Sequence, residues 1–142
     1  MRKFLSFIAI ACLPILAVAQ VSQDYAGCPD AVVQDPMVTP LFGKSSDDLQ
    51  DYFSEKLQTI IDNQHPTGEF ELKLVIDENG APCLTTFTQT GDVRIEPNHI
   101  KNIVDNMEGW QPALQDARPV SSQVMLLIRF KSTKVTTRIL TK

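Results

Sequence analysis

The sequence predicts an α+β domain in which an antiparallel three-stranded sheet, extended by a short fourth strand, packs two helices on one face. Three observations predict this fold class. Two segments space their apolar residues like helices, other segments alternate like strands, and the elements follow in the order helix, hairpin, helix, strand. This order is typical of helices that collect on one side of an antiparallel sheet.

Both helices are predicted from apolar spacing and from residues that begin or end a helix. Residues 45–48 supply an N-cap and an acidic first turn, and apolar side chains then recur at helical spacing as far as Ile61. The first helix should therefore stop before His65-Pro66. The second helix should begin at Pro97, carry a narrow apolar stripe and end at Gly109.

The strands are predicted from alternation and from turn residues. Residues 69–77 alternate between apolar and polar side chains, as a half-buried strand does. Asn79-Gly80 favours a hairpin turn, after which residues 83–90 should return antiparallel. The third strand is predicted over 120–131, and the β-forming composition of 134–140 predicts the short fourth strand.

The amino terminus has the pattern of a cleavable signal peptide. Arg2 and Lys3 precede a run without charges from Phe4 to Ala19, and Ala17-Val18-Ala19 matches a signal peptidase site. The sequence therefore predicts cleavage after Ala19 and export to the periplasm. Two alternatives stay open: the run is retained as a membrane anchor, or Cys12 is modified with lipid.

The remaining chain divides into an extended leader over 20–44, rich in Pro and Gly, and one domain over 45–142. Without Arg2 and Lys3, the 13 basic residues fall to 11 against 17 acidic residues, a net charge of −6. Because nucleic acid and anionic lipid attract basic surfaces, this balance argues against both as partners.

Two cysteines remain after the predicted cleavage, Cys28 and Cys83. In an oxidising compartment such a pair is interpreted first as a disulfide, and two free thiols are the alternative. A composite zinc site from both cysteines with His65 and His99 is a minor alternative, because structural zinc ligands usually come in closely spaced pairs.

The sequence shows no enzyme machinery. Its two histidines lie near predicted helix ends, and it has no Gly-x-Ser-x-Gly motif or phosphate-binding loop. We therefore expect a non-enzymatic protein without a cofactor or metal. Trp110 with Pro112 has two interpretations, a ligand platform or a plug at the end of the core, and the burial tendency of large aromatic side chains favours the core.

The third strand has an unusually apolar outer face, with Met125 and Leu127 between Gln123 and Arg129. Exposed apolar patches often mark interaction surfaces, so either the leader or a partner should cover this face. In the alternative that involves no partner, residues 134–140 fold back and occupy the edge of the sheet.

Several ordered motifs occupy about two-thirds of the chain. They are Phe42-Gly43, Leu74–Gly80 after the strand glycine Gly68, Met107–Ala113, Asp116–Val120 and Leu127–Phe130. Their order and spacing resemble those of the TonB carboxy-terminal domain family. The sequence departs from the family pattern after the first helix, where His65-Pro66 stands two residues before Gly68, and in its short leader, where a TonB transducer has a long Pro-rich spacer.

The resemblance implies a protein-interaction module that captures a partner strand or peptide at a sheet edge. The partner would be an envelope protein or a segment of an outer-membrane receptor, and a homodimer is a further expectation. The alternative is energy transduction for outer-membrane transport, with the amino-terminal segment retained as an anchor. The edge strand implied by the family comprises Gln123, Val124, Met125, Leu126, Leu127, Ile128 and Arg129, and we expect the tail over 134–140 to compete for it.

The signal-peptide pattern generates a first prediction. We expect the mature chain to begin at Gln20, because the small residues at Ala17 and Ala19 place the cleavage site there. The mass of the intact protein isolated from the envelope fraction measures this directly. An uncut chain, or a chain that begins at a lipid-modified Cys12, would contradict the prediction.

Overall fold

The computed structural model describes residues 20–140, so the predicted signal segment and Cys12 lie outside the described residues. No helix within 20–140 is long and apolar enough to cross a membrane. The fold is α+β. Its elements in chain order are β1 (Val21–Asp24), β2 (Leu41–Phe42), α1 (Ser46–Gln64), β3 (Thr67–Ile76), β4 (Pro82–Gly91), α2 (Pro97–Asp105), β5 (Trp110–Gln111), β6 (Ala113–Gln115), β7 (Arg118–Val120), β8 (Ser122–Lys131) and β9 (Lys134–Leu140).

The main sheet has five strands in the order β1-β4-β3-β8-β9, and all neighbouring pairs are antiparallel. The prediction of three strands was therefore wrong in number, although the short fourth strand is present as β9. The fifth strand, β1, comes from the leader and pairs with β4 from Val21↔Gln89 to Asp24↔Thr86. Its four residues show no alternation in the sequence, and main-chain pairing along an open strand edge defines it instead.

Helix α1 begins and ends where its sequence signals predict. The Asp48 carboxylate accepts hydrogen bonds from the main-chain N–H groups of Lys44, at 2.6 Å, and Ser45, at 3.1 Å. These two bonds favour the ionised form and lower the pKa of Asp48 below its ordinary value of 3.8. At the other end, His65 takes a left-handed conformation with φ of 44°, and Pro66 follows.

One hydrophobic core lies between the helices and the face of the sheet that we call the inner face. Phe70, Leu72, Leu74 and Ile76 of β3 are fully buried on it, and the helices contribute to the same cluster. The helical members are Leu49, Phe53, Leu57 and Ile61 of α1 and Ile100, Ile103 and Val104 of α2. Because both helices share one core, they lie on the same face of the sheet.

The end of α2 and the segment that follows it differ from the prediction. Helix α2 ends at Asp105, before Gly109, and the segment over 110–120 forms three short strands outside the main sheet. Trp110 is only 5% exposed, and its ring lies 5.3 Å from that of Phe42 between centroids. The interpretation of Trp110 as part of the core is therefore confirmed.

The hairpin between β3 and β4 contains the predicted turn. Gly80 has φ of 81°, and its N–H donates to the carbonyl of Asp77. A second constraint acts on this glycine, since a Cβ atom there would lie 2.3 Å from the carbonyl oxygen of Trp110. Gly80 therefore permits both the turn and the close approach of β5.

Residues 21–42 of the leader form a segment that we call the strap, which runs from the β4 side of the sheet to β8. It begins as β1 beside β4, and a disulfide then joins Cys28 to Cys83, with 5.6 Å between their Cα atoms. Cys83 pairs with Val75, which lies on the outer face, so the strap crosses that face. Val33 then bridges Ser122 of β8. The disulfide prediction is confirmed, and both alternatives that require free thiols, including the zinc site, are wrong.

The disulfide generates a second prediction. We expect the double variant Cys28→Ser/Cys83→Ser to lose about 4 kcal/mol of unfolding free energy, because the bridge closes a long loop and restricts the unfolded chain. The bridge spans 55 residues. Urea denaturation of the variant, beside the oxidised and the chemically reduced parent, measures the loss. If the reduced parent keeps the midpoint of the oxidised protein, the strap is held without help from the disulfide.

Candidate functional site

The predicted recognition strand, Gln123–Arg129, is not at the edge of the sheet. It belongs to β8, which pairs with β3 along its whole length and with β9 from Met125↔Leu140 to Lys131↔Lys134. The tail folds back through a tight turn at Ser132, which has φ of 56° and donates its N–H to the carbonyl of Pro66 at 2.9 Å. The fold-back alternative is what the structure shows, and the edges of the sheet are β1 and β9.

The seven predicted residues divide between the two faces of β8. Val124, Leu126 and Ile128 are buried in the core and face the helices. On the outer face, Gln123 is exposed and Met125 and Arg129 are half-buried. Leu127 is only 8% exposed. The structure therefore keeps these side chains together on one strand but gives three of them a role in packing.

Polar side chains, two of them arginines, lie around Leu127 on the outer face. It lies in a depression of about 230 Å³ together with Arg129, Thr136 and Arg138. Arg129 is fixed there by an ion pair with Glu69, at 2.6 Å from nitrogen to oxygen. The aliphatic stems of such side chains can cover apolar surface while their charges stay in water. The expected open apolar face is therefore absent at Leu127, and the strap passes farther along, near Cys83 and Ser122.

The outward edge of β9 is partly closed by one side chain of α1. The side-chain amide of Gln50 donates from Nε2 to the carbonyl of Val135 at 2.9 Å, and its Oε1 accepts from the N–H of Thr137 at 2.5 Å. These are the bonds that the peptide groups of a neighbouring strand would make. Gln50 therefore serves in place of a sixth strand over part of the edge.

The rest of the β9 edge is open. Alternate residues of a strand direct both of their main-chain groups to the same side, so the N–H and C=O of Ile139 point outward like those of Val135 and Thr137. No hydrogen bond within residues 20–140 involves the carbonyl of Thr137 or the N–H of Ile139 on that side. Two or three main-chain groups are thus available to an added strand.

A groove of about 390 Å³ runs beside this open edge, between β9 and the start of α1. Its volume is in the range of about 300–1,000 Å³ that is typical of ligand sites. Its apolar walls are Leu41, Phe42, Leu49 and Ile139, and Leu41 is 36% exposed. The groove therefore offers apolar surface directly beside unpaired main-chain groups.

The two walls of the groove carry opposite charges. Residues 122–140 contain four basic side chains, Arg129, Lys131, Lys134 and Arg138, and no acidic one. On the helix side, Asp47 lines the groove, and α1 carries further acidic residues. Arg138 lines both this groove and the depression at Leu127, so it lies at the rim between the edge and the outer face.

The residues that define the groove were not predicted from the sequence. Gln50 occurs among polar helix residues, and nothing in its local pattern marks it as the partner of Val135, which lies 85 residues later in β9. Leu41 belongs to the leader, whose apolar residues are scattered without a period. The exposure of Leu41 and its place beside β9 follow only from the path of the strap.

The motifs on which the TonB resemblance rests lie in and beside the core. Met107, Trp110 and Ala113 are buried, and Asp116 and Ala117 form the turn between β6 and β7 with φ of 50° and 61°. Positive φ at both central residues of a turn favours Asn, Asp and Gly. A comparison of the chain with protein-family models, with curated proteins and with solved structures finds no match.

The Gln50 contact generates a third prediction. We expect Gln50→Ala to lower the unfolding free energy by about 1–2 kcal/mol and to speed hydrogen exchange at the amide of Thr137, because both main-chain groups lose a partner. The matched control is Gln58→Ala on the same helix, where the exposed side-chain amide donates to the carboxylate of Asp62 and makes no hydrogen bond to a strand in residues 20–140. Equal losses in the two variants would show that Gln50 does not hold the edge of the sheet.

Proposed function

We propose that this protein is a non-enzymatic interaction module of the periplasm that binds an extended segment of a partner protein. The segment adds as a strand along the open edge of β9. The observation that carries this proposal is the pair of unpaired main-chain groups at Thr137 and Ile139 beside an apolar groove. In strand addition, main-chain hydrogen bonds give affinity, and pockets for alternate side chains give selectivity.

The proposal assigns recognition to β9 and not to the predicted strand Gln123–Arg129. For β8 to receive a partner, β9 would first have to leave. Its departure would expose Val135, which is 5% exposed and part of the core, and would break both bonds to Gln50. A partner that adds to β9 needs no such rearrangement, and β8 then serves as the scaffold behind the site.

Two features support export as part of the proposal. A signal-peptide pattern precedes residue 20, and a disulfide lies within the fold. Disulfides form and persist mainly in oxidising compartments, such as the bacterial periplasm. The absence of an enzyme motif in the sequence and the resemblance to the TonB carboxy-terminal domains support a binding role.

The path of the leader argues against residues 21–42 as the spacer of an energy transducer. A transducer needs a free spacer between its anchor and its domain. Here the residues of the strap are held by β1, by the disulfide and by the bridge from Val33 to Ser122. They are therefore part of the folded unit and do not serve as a spacer.

The fourth prediction tests the edge itself. We expect Ile139→Pro to abolish the capture of partners from an envelope extract, because proline removes the outward N–H that an added strand would need. The control is Ile139→Ala, which loses the same side chain and keeps that N–H. Capture is measured by pull-down with immobilised protein, and circular dichroism verifies that both variants are folded.

Deletion of residues 132–142 separates the two possible edges. If the partner adds to β9, the deletion removes the site and capture is lost. A folded deletion variant that captures more protein than the parent would instead place recognition on β8, at Gln123–Arg129, and would overturn our choice of edge.

A further inference from the structure

We propose that the partner segment alternates apolar and acidic side chains, with an acidic residue opposite Arg138 and apolar residues facing the groove. This inference rests on the proposed function and specifies the chemistry of its partner. It follows from the different surfaces that β9 presents on its two faces at the open edge.

The alternation follows from strand geometry. Successive side chains of a strand point to opposite faces, so a strand beside β9 would place every second side chain over the groove and the others on the outer face. On the inner side, its neighbours are Thr137 and Ile139, which line the groove. On the outer side, they are Lys134, Thr136 and Arg138. This division holds for either direction of the added strand.

The outer side favours an acidic residue because its charged side chains are basic and not all of them are paired with a carboxylate. Arg129 is already paired with Glu69, at 2.6 Å. No carboxylate within residues 20–140 pairs with Arg138, which is exposed at the rim. Opposite charges placed directly across two strands stabilise the pairing, and like charges weaken it. A carboxylate opposite Arg138 therefore adds to the binding, and a lysine there opposes it.

The inner side favours an apolar residue. The groove is walled by Leu41, Phe42, Leu49 and Ile139, and its volume of about 390 Å³ leaves room for a bulky side chain. Asp47 lies on the helix side of the same groove. An acidic residue placed there would lose hydration and face a like charge, and both effects oppose its binding.

A second copy of this chain does not match these requirements. Pairing of two β9 edges would align Lys134, Thr136 and Arg138 of one copy with the same basic row of the other. Because the β8–β9 hairpin contains no acidic residue, none of these cations would gain a partner within the paired hairpins. Natural sheets use such charges at edges to prevent self-association. The charge pattern therefore points to a different chain with an acidic face.

Synthetic seven-residue peptides test the inference on the full mature protein. The peptides share Ser and Thr at their ends, have blocked termini, and carry Phe-Glu-Leu, Phe-Lys-Leu or Ser-Glu-Ser at the centre. We expect the Phe-Glu-Leu peptide to bind with a dissociation constant about fivefold to tenfold lower than that of the Phe-Lys-Leu peptide at low salt. We expect this preference to shrink as salt is added, because the charges are exposed. The Ser-Glu-Ser peptide should bind more weakly than Phe-Glu-Leu, since it leaves the groove empty.

A charge reversal identifies the residue responsible. Arg138→Glu should invert the order, so that Phe-Lys-Leu binds more tightly than Phe-Glu-Leu. The control is Lys131→Glu, which changes the net charge equally but lies on β8, away from the open edge, and should leave the order unchanged. Equal inversion in both variants would show that the net charge, and not Arg138, sets the preference.

The possible failures are distinguishable. If all three peptides bind equally and Ile139→Pro abolishes binding, strand addition stands and the alternating pattern is wrong. If no peptide binds and Ile139→Pro leaves the capture of partners unchanged, the proposed function fails as well. A mature protein that forms dimers through β9, detected by light scattering and abolished by Ile139→Pro, would make a second copy the occupant and overturn the inference.

Discussion

The burial of the inner faces of β3 and β8 is the constraint on which the rest of the structure depends. These two strands pair over ten residues each, and their inner side chains form a continuous apolar surface. Such a surface has to be covered, and α1 and α2 do so within one cluster. Because a shift of one residue would turn every inner side chain of a strand outward, this burial also fixes the register. The position of α1 is thereby set, and with it the place where Gln50 meets β9.

The two edges of the sheet are protected to different extents. At one side of the sheet, β1 of the strap pairs with β4 as its second neighbour and forms the edge, and the strap is locked there by a disulfide. At β9, protection comes from one glutamine amide and from a row of basic side chains. Exposed strand edges invite unwanted pairing, so an edge left partly open has to be restricted in other ways. In the function that we propose, basic charge beside unpaired main-chain groups disfavours pairing with a second copy and favours an acidic strand.

Elements with strong local signals were predictable from the sequence. Ser45 and His65-Pro66 mark the limits of α1 because capping and steric restriction act within a few residues. Asn79-Gly80 marks the hairpin for the same reason, since Gly80 takes a positive φ. The exit of α2 was less predictable, because Asn106 ends the helix without glycine or proline.

Features that depend on distant parts of the chain were not predictable. The pattern of β8 predicts a strand with an apolar inner face and an unusually apolar outer face, and no local property tells whether its second neighbour is a partner or residues 134–140. The strand β1 is held by main-chain pairing and by side-chain hydrogen bonds to β4 that no local pattern indicates, and its four exposed residues resemble a loop. The groove required both the path of the strap and the fold-back of β9, so neither Leu41 nor Gln50 could be assigned from sequence. The disulfide could be predicted from two cysteines in a chain with a signal-peptide pattern, but only the fold shows that Cys28 and Cys83 lie close enough to bond.

The strap has a consequence for the order in which the chain folds. Its hydrogen bonds join residues 62, 66 and 78 positions apart, as in Thr86 with Asp24, Ser22 with Thr88 and Met37 with Gln115. Contacts between such distant residues form slowly, because a long loop has to close before they are made. The contacts of the strap therefore belong to the slow, non-local part of folding, as do those between α1 and β9, which join residues 85 and 87 positions apart. For the exported chain that we propose, the bridge between Cys28 and Cys83 forms only after both cysteines have reached the oxidising side of the membrane, so the strap is locked in place after export.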